Sequence, residues 1–407
     1  MARPDDPDGS ALLTSRRVEP LLEVVVERAG GVLRSWSMDH VDSNPGFSTT
    51  ATYAAQVHWP YGDREELIGV SARTSGRASS DDRAQLFTVE GREVAAWVYP
   101  ADPDLPGLER AAYPEKMAAL INDERLLDRP VSSGQLSLGM IGYRPRRRAV
   151  LKCAVSDPRV TFFVKVQKER TFAETLRRHR LLGEAGVPSP VVRCATADHI
   201  LVLDELPGRP LAKAIFDPEP PCTAESLIGL LDSMPGEVAQ LERRPPWSDA
   251  VDHYAGVITA ALPDQAARLG WMCGLIHAGL DRIEVGHEPT HGDFHEGQVF
   301  VDGGRPSGML DIDTIGPGRR GDDLACLVAH LSTVQRMNAQ QAAAVHHLIR
   351  TWVPVFDERV DPVELRLRAA AVIISLATGP YRGQEPNWRG ETAWILDAAE
   401  ALVRQVA

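Results

Sequence analysis

Between Thr290 and Asp313 runs THGDFHEGQVFVDGGRPSGMLDID, which sets His291, Asp293, His295, Glu296, Gln298, Asp311 and Asp313 among glycines and apolar residues. His287, His291 and His295 are spaced so that a helix would put three imidazoles on one face. Gly286, Pro289, Gly292 and Gly297 break such a helix. No Cys partner or HExxH pattern accompanies them, so a histidine zinc cage is not expected. The carboxylates suggest different chemistry. Asp293 follows Gly292 in a loop, Gln298 leads into the short strand VFV, DGGRPSG reads as a turn, and MLDID reads as a second strand. Such a hairpin would return Asp311 to the end that carries Asp293 and Gln298. A carboxylate and an amide oxygen are hard ligands that suit Mg²⁺ carrying nucleotide phosphates. A separate carboxylate can orient and deprotonate an attacking hydroxyl. Acidic hairpin ends also occur as plain solvated turns, and the residues alone leave both readings open.

The elements that must position these groups can be read upstream. Residues 1–19 are polar and rich in Pro and Asp, and are expected to form a mobile tail. LLEVVVERAGG reads as an element ending at Gly30–Gly31, and a strand follows it. TTATYAAQVHW and REELIGVSA are rich in β-formers, SARTSGRASSDDR is a loop by composition, and QLFTVEGREVAAWVYP reads as two strands joined at Glu90–Gly91. YPEKMAALINDERLL is a helix with Pro114 in its first turn. Residues 20–125 therefore read as a β-rich cap closed by a helix. A second β-rich unit, 126–208, carries LGMIGYRP, RRAVLKCAV and RVTFFVKVQ. Ser156-Asp157-Pro158 is a turn that would pair Val155 with Val160. That pairing puts Leu151, Cys153, Val155, Phe162, Val164 and Val166 on one face, and Lys152, Phe163 and Lys165 on the other. The helix FAETLRRHRLLGEAG and the apolar strand HILVLDELPG follow. From 209 to 407 helical periodicity dominates, interrupted by the acidic loop.

Composition narrows the classes. The chain has 407 residues, 43% of them hydrophobic, enough for two or three domains with real cores. A formal net charge of -12 argues against a nucleic-acid partner. The five cysteines, Cys153, Cys194, Cys222, Cys273 and Cys326, are scattered and odd in number, which reads as reduced thiols in a cytoplasm. The N-terminus lacks an apolar signal segment, and no run is long enough to span a bilayer.

The order of Lys165 on a strand, a helix with Glu174, a strand entering a turn, a helical region, His-Gly-Asp and then Asp311 resembles the aminoglycoside phosphotransferase and choline kinase superfamily. The resemblance covers roughly residues 130–400 and is specific at HGDFHEGQVFV and GMLDIDTIGPGRRGDDLACL. It implies an α+β, bilobal, protein-kinase-like fold, with a β-rich N-lobe carrying one helix and a helical C-lobe, here preceded by the cap. It implies Asp293 as catalytic aspartate, Gln298 and Asp311 as Mg²⁺ ligands, and Asp323 as the structural carboxylate opening the next helix. An Asp there is also a good N-terminal cap. Most members carry Asn at the position of Gln298. The form HGDxHxGQ resembles the actinobacterial maltokinase and glucosamine kinase branch, with the amide oxygen one methylene further out. By the same resemblance Lys165 would hold the ATP phosphates with Glu174 as its ion-pair partner, a role for which Glu169 and Glu184 compete. The backbone around Asp204, Glu205 and Leu206 would meet adenine. Arg146, Arg147 and Arg148 form a basic turn that either reaches phosphates or is simply solvated.

The implied activity is ATP- and Mg²⁺-dependent phosphoryl transfer to a hydroxyl of a small molecule. A sugar or amino sugar comes first, and an aminoglycoside or other hydroxylated natural product second. The alternative from another class is a nucleotide-binding pseudokinase with a regulatory role. Asp313, Gln384, Glu385 and Trp388 are the acceptor candidates, Trp388 by stacking on a sugar ring. The competing reading of GPYRGQEPNWRGETAW is an interhelical loop whose tryptophans pack the core.

Overall fold

The computed structural model describes residues 6, 8–74, 83–89, 91–334 and 337–407. Most of the loop expected over SARTSGRASSDDR lies outside the described residues, as do Glu90 of the expected turn and residues 1–5 and 7 of the expected tail. The chain forms two compact units. The first comprises Met1–Ala173, Val192–Glu205 and Tyr381–Pro386; the second comprises Glu174–Val191, Leu206–Pro380 and Asn387–Ala407.

The first unit holds two antiparallel five-stranded sheets. Strands β1 Val32–Asn44, β2 Ser48–Trp59, β3 Gly62–Arg73, β4 Gln85–Val89 and β5 Arg92–Val98 lie in the order β1-β2-β3-β5-β4. The helix Glu19–Arg28 packs Leu22, Val25 and Val26 into one core with Val41, Tyr53, Val57, Ile68 and Val70. It ends where Gly30 takes φ +91 and the Gly31 amide donates back to the Val26 carbonyl. That is the left-handed cap a glycine tolerates best.

The described part of the expected tail is anchored rather than mobile. Ser10–Leu13 is a helical turn, and Leu12, Leu13 and Val18 join the same core. The Asp6 carboxylate accepts the Ala11 and Leu12 amides, each at 2.9 Å, and meets the Arg92 guanidinium at 3.1 Å. The Tyr53 hydroxyl donates to the Leu13 carbonyl at 2.7 Å. Polar composition suggested solvation, but here an acidic residue caps a helix and three apolar side chains find a sheet. Tyr53→Phe leaves that buried carbonyl without its donor and is expected to lower unfolding free energy by about 1–3 kcal/mol, read as a lower urea midpoint.

The second sheet comprises β6 Leu136–Arg144, β7 Arg148–Val155, β8 Val160–Gln167, β9 Val192–Ala195 and β10 Ile200–Asp204, in the order β6-β7-β8-β10-β9. Val155 pairs with Val160, the expected register. Leu151, Cys153, Val155, Phe162, Val164 and Val166 are all buried in one cluster. The helix Pro114–Asp123, expected to close the cap, packs Met117, Leu120 and Ile121 into this second core instead. Nearness in the chain does not say which sheet an amphipathic helix covers. The basic turn is also structural. Arg146 is buried at φ +60, its amide donates to Asp102 at 2.7 Å, and its guanidinium pairs with Asp104 at 3.2 Å. Arg147 pairs with Asp42 at 3.2 Å.

The second unit is helical. The helix Pro362–Leu376 is buried over most of its length and forms one core with residues of Ala266–Leu280, Arg320–Ser332 and Trp388–Arg404. Two small sheets interrupt the helices. Val299–Asp302 pairs with Arg305–Met309 and with Arg209–Pro210; Glu288–Thr290 pairs with Gly316–Gly318. The class is therefore α+β, as expected. Among the described residues no helix is long and apolar enough to cross a membrane.

Candidate active site

The loop that carries Asp293 is held from three directions within the second unit. Thr290 pairs with Gly316 where the strand enters the loop. The amides of His291 and Gly292 donate to the Asp323 carboxylate at 2.9 and 2.8 Å. The Thr314 hydroxyl donates to the His291 carbonyl at 2.8 Å. The buried His291 ring spans the loop: Nε2 meets the Leu310 carbonyl at 2.8 Å, and Nδ1 accepts the Asp293 amide at 3.3 Å. Gly292 takes φ +80, and a Cβ there would stand 2.8 Å from the Thr314 carbonyl oxygen, so only glycine passes this turn without strain. Phe294 is fully buried beneath, which leaves Asp293 at the partly open surface of a rigid loop.

The hairpin expected after Gln298 is present, with Gly303 and Gly304 at positive φ in its turn. Its second strand ends at Met309, short of the expected MLDID. The chain turns there because Asp311 adopts φ 49, ψ 48, opening a short 3₁₀ turn over Ile312–Thr314. The Leu310 amide donates to the Gln298 carbonyl at 2.7 Å, which brings Asp311 back beside Gln298. A left-handed non-glycine residue of this kind costs roughly 1–3 kcal/mol and persists where the surroundings impose it.

Asp323 is not the expected N-terminal cap. The helix Arg320–Ser332 begins three residues earlier, and Asp322 accepts the Arg319 amide at 3.0 Å. Asp323, fully buried, points inward to the loop amides and pairs with Arg320 at 3.2 Å. Burial pushes its carboxyl above the usual range, against the pull of Arg320 and the two amides.

Of the nucleotide candidates, Lys165 is buried on β8 of the first unit, between Val150 on β7 and Leu201 on β10. Glu174 belongs to the second unit and faces Arg178 at 3.5 Å and Arg177 at 3.9 Å. The Arg178 side chain is fully buried, and its Nε donates to the Ile315 carbonyl at 3.0 Å, tying that helix to the turn that follows Asp311. Burial pushes the Arg178 guanidinium below its usual range, and Asp313, on the same turn, is among the carboxylates that oppose this. Asp204 faces Arg193 at 3.8 Å, Glu205 faces Lys152 at 3.9 Å, and Leu206 is buried over Gly308. Gln384 takes φ 48 and donates to the Tyr381 carbonyl at 2.6 Å; Glu385 beside it is partly buried. Trp388 opens the last helix, packs on the helical core, and carries Arg389 at 4.3 Å from its ring centre.

Three neighbours of the loop carried no signal in the sequence. The Trp247 indole donates to Asp293 Oδ1 at 3.1 Å. The Cys326 thiol lies 3.9 Å from the same oxygen, and burial together with Asp293 raises its pKa so that it stays a thiol. His330 stacks on His295, and burial and that facing ring push the His295 imidazole down to about 4. Trp247 and Cys326 stand more than 30 positions from Asp293 and share no motif with it.

The model of the Phosphotransferase enzyme family matches residues 142–358, more than half of the chain. No curated protein matches in sequence. Among solved structures, a thermostable mutant of aminoglycoside phosphotransferase APH(4)-Ia in ternary complex with ADP and hygromycin B is 15% identical. That match covers 72% of this chain and 98% of the other, with a TM-score of 0.48. Plasmodium vivax ethanolamine kinase is 11% identical, covering 72% and 90%, with a TM-score of 0.46. Choline kinase LicA from Streptococcus pneumoniae is 12% identical, covering 71% and 99%, with a TM-score of 0.47.

Proposed function

The chain belongs to the Phosphotransferase enzyme family, and on that premise we propose that it moves the γ-phosphoryl group of ATP to a hydroxyl of a sugar or amino sugar. The family and the α+β, protein-kinase-like fold make it a small-molecule kinase; the acceptor and the roles below are the proposal. One observation carries it. A single hairpin returns Asp311 beside Gln298, directly after a loop that Asp323 and His291 hold around Asp293.

In this reading Asp293 orients the acceptor hydroxyl and takes its proton as the new O–P bond forms. The donor set suits magnesium, since Asp311 offers a carboxylate and Gln298 an amide oxygen, both hard ligands. Held by Asp311 and Gln298, the ion would supply positive charge that offsets the charge of the transferred phosphoryl group. Gln298 is itself positioned. The Gly297 amide donates to His295 Nδ1 at 3.1 Å, and the Gln298 amide nitrogen lies 3.2 Å from Nε2 of the same ring, which leaves the amide oxygen for the metal. Lys165 would hold the phosphates and the backbone at Asp204–Leu206 would meet adenine; Glu174, expected as the partner of Lys165, pairs with Arg178 of its own unit at 3.5 Å. Asp313, Gln384 and Glu385 remain candidates for the acceptor. Trp388 is the weakest of that group, since Arg389 already covers its ring. The five free cysteines agree with a cytoplasmic setting.

Gln298 in place of the commoner Asn favours a sugar over an aminoglycoside. The test is ATP consumption in Mg²⁺ with a panel of sugars, amino sugars and aminoglycosides. Turnover with a sugar or amino sugar is expected. Turnover confined to aminoglycosides would replace the acceptor assignment. Tight ATP binding with no turnover on any acceptor would make the protein a pseudokinase.

A further inference from the structure

Beside the proposed Mg²⁺ ligands, but chemically unlike them, stands a second group. His295 and Glu296 come from the loop, and His330 from the last turn of the helix Arg320–Ser332. The two imidazoles stack with centres 4.0 Å apart and planes within 10°. Glu296 Oε2 lies 3.8 Å from His295 Nδ1 and 3.6 Å from His330 Nδ1. It is buried and has no hydrogen-bond partner at those separations. One potential ligand atom from each residue falls within a 4.8 Å span. The side chains keep 15–20% of their exposure, so an ion can enter.

These separations are too long for hydrogen bonds. They are close to the edges of a metal polyhedron: ligands about 2.0–2.1 Å from zinc lie about 3.3–3.6 Å from one another. The Nδ1 of His295 already presents a lone pair, since the Gly297 amide points at it. Its Nε2 stands 3.2 Å from the Gln298 amide nitrogen, an outer contact of the kind that orients ligating histidines. The Glu296 backbone is fixed by its carbonyl, which accepts the Ala212 amide at 2.8 Å. Two imidazoles and a carboxylate select zinc-like ions over magnesium, and three protein ligands leave a position for water.

We propose that His295, Glu296 and His330 form a binding site for one divalent transition-metal ion of the Zn²⁺ or Co²⁺ type, separate from the Mg²⁺ site of phosphoryl transfer. The ion displaces the Gly297 amide from His295 Nδ1, and because parallel imidazoles cannot both aim in-plane lone pairs at one ion, one ring turns out of the stack about its side-chain torsions, toward Glu296, to complete the site.

The test uses the full chain freed of metal with a chelator and holding no nucleotide, so it does not depend on kinase activity. Titration with Zn²⁺ by calorimetry is expected to show one ion per chain, and Co²⁺ is expected to give the visible ligand-field bands of an imidazole-bound, low-coordinate ion. His330→Ala and Glu296→Gln should each weaken Zn²⁺ binding by at least about tenfold. His277→Ala, at an exposed histidine flanked by Asp252 and Asp281, should leave it unchanged. Circular dichroism establishes that each variant is folded, and His330→Gln replaces His330→Ala if the latter is not. No stoichiometric Zn²⁺ binding, or equal binding by the folded His330 and Glu296 variants, overturns the site. Loss on His277→Ala alone overturns it as well and moves the ion elsewhere.

Discussion

Asp293→Asn is expected to lower turnover by about 10²–10⁴-fold, the usual worth of a positioned general base, while ATP binding stays near its original strength. The geometry makes this a clean substitution. Asn is nearly isosteric with Asp, and the Trp247 indole N–H at 3.1 Å from Oδ1 selects which end of the new amide faces it. The amide oxygen takes the indole, so the NH₂ group turns to where the acceptor hydroxyl would stand. A donor then faces a donor, and no lone pair remains to take the proton. The loop itself is kept by His291, Thr314 and Asp323, none of which bonds to the Asp293 side chain in the contacts above. Steady-state turnover on the best acceptor, beside equilibrium ATP binding, reads the two effects apart. A rate equal to that of the original chain would remove Asp293 from the chemistry.

The second large effect is on stability. Asp323→Ala is expected to lower the unfolding free energy by about 3–5 kcal/mol, the range found when one member of a buried ion pair is removed. Asp323 is wholly buried, accepts two loop amides and faces Arg320, itself 2% exposed. Without it, two amides lose their acceptor and Arg320 is left facing Asp232, at 3.0 Å and half in solvent. Chemical denaturation measures the loss directly. Asp323→Asn is expected to fall between the two, since it keeps an acceptor for an amide but not the charge for Arg320. If Asp323→Ala unfolds at the original midpoint, the carboxylate is not what holds the loop.

Much of this was legible along the chain because its causes are local. The turn at Ser156–Pro158 and the alternation around it set the register of β7 and β8 before any tertiary contact is considered. Gly303 and Gly304 mark the turn that folds Val299–Asp302 against Arg305–Met309, and this returns the chain toward Gln298. His-Gly-Asp at a glycine of positive φ carried the loop. Local signals erred where two local outcomes were equally possible. Asp323 could cap its helix or turn inward, and Leu12 and Leu13 could be solvated or buried; which occurred depended on a partner elsewhere in the chain.

The sequence by itself thus determined the hairpin, the carboxylate-and-amide set and the family they belong to, because each rests on residues a few positions apart whose turn and pleat geometry is short-ranged. Only the tertiary structure decided that Trp247 would donate to Asp293, that Asp323 would reach back to the loop amides, and that His330 would meet His295 and Glu296. These contacts join residues some 30 or more positions apart. They exist because the helices of the second unit share one buried core, and no periodicity or spacing in the chain encodes which of their side chains face each other when that core closes.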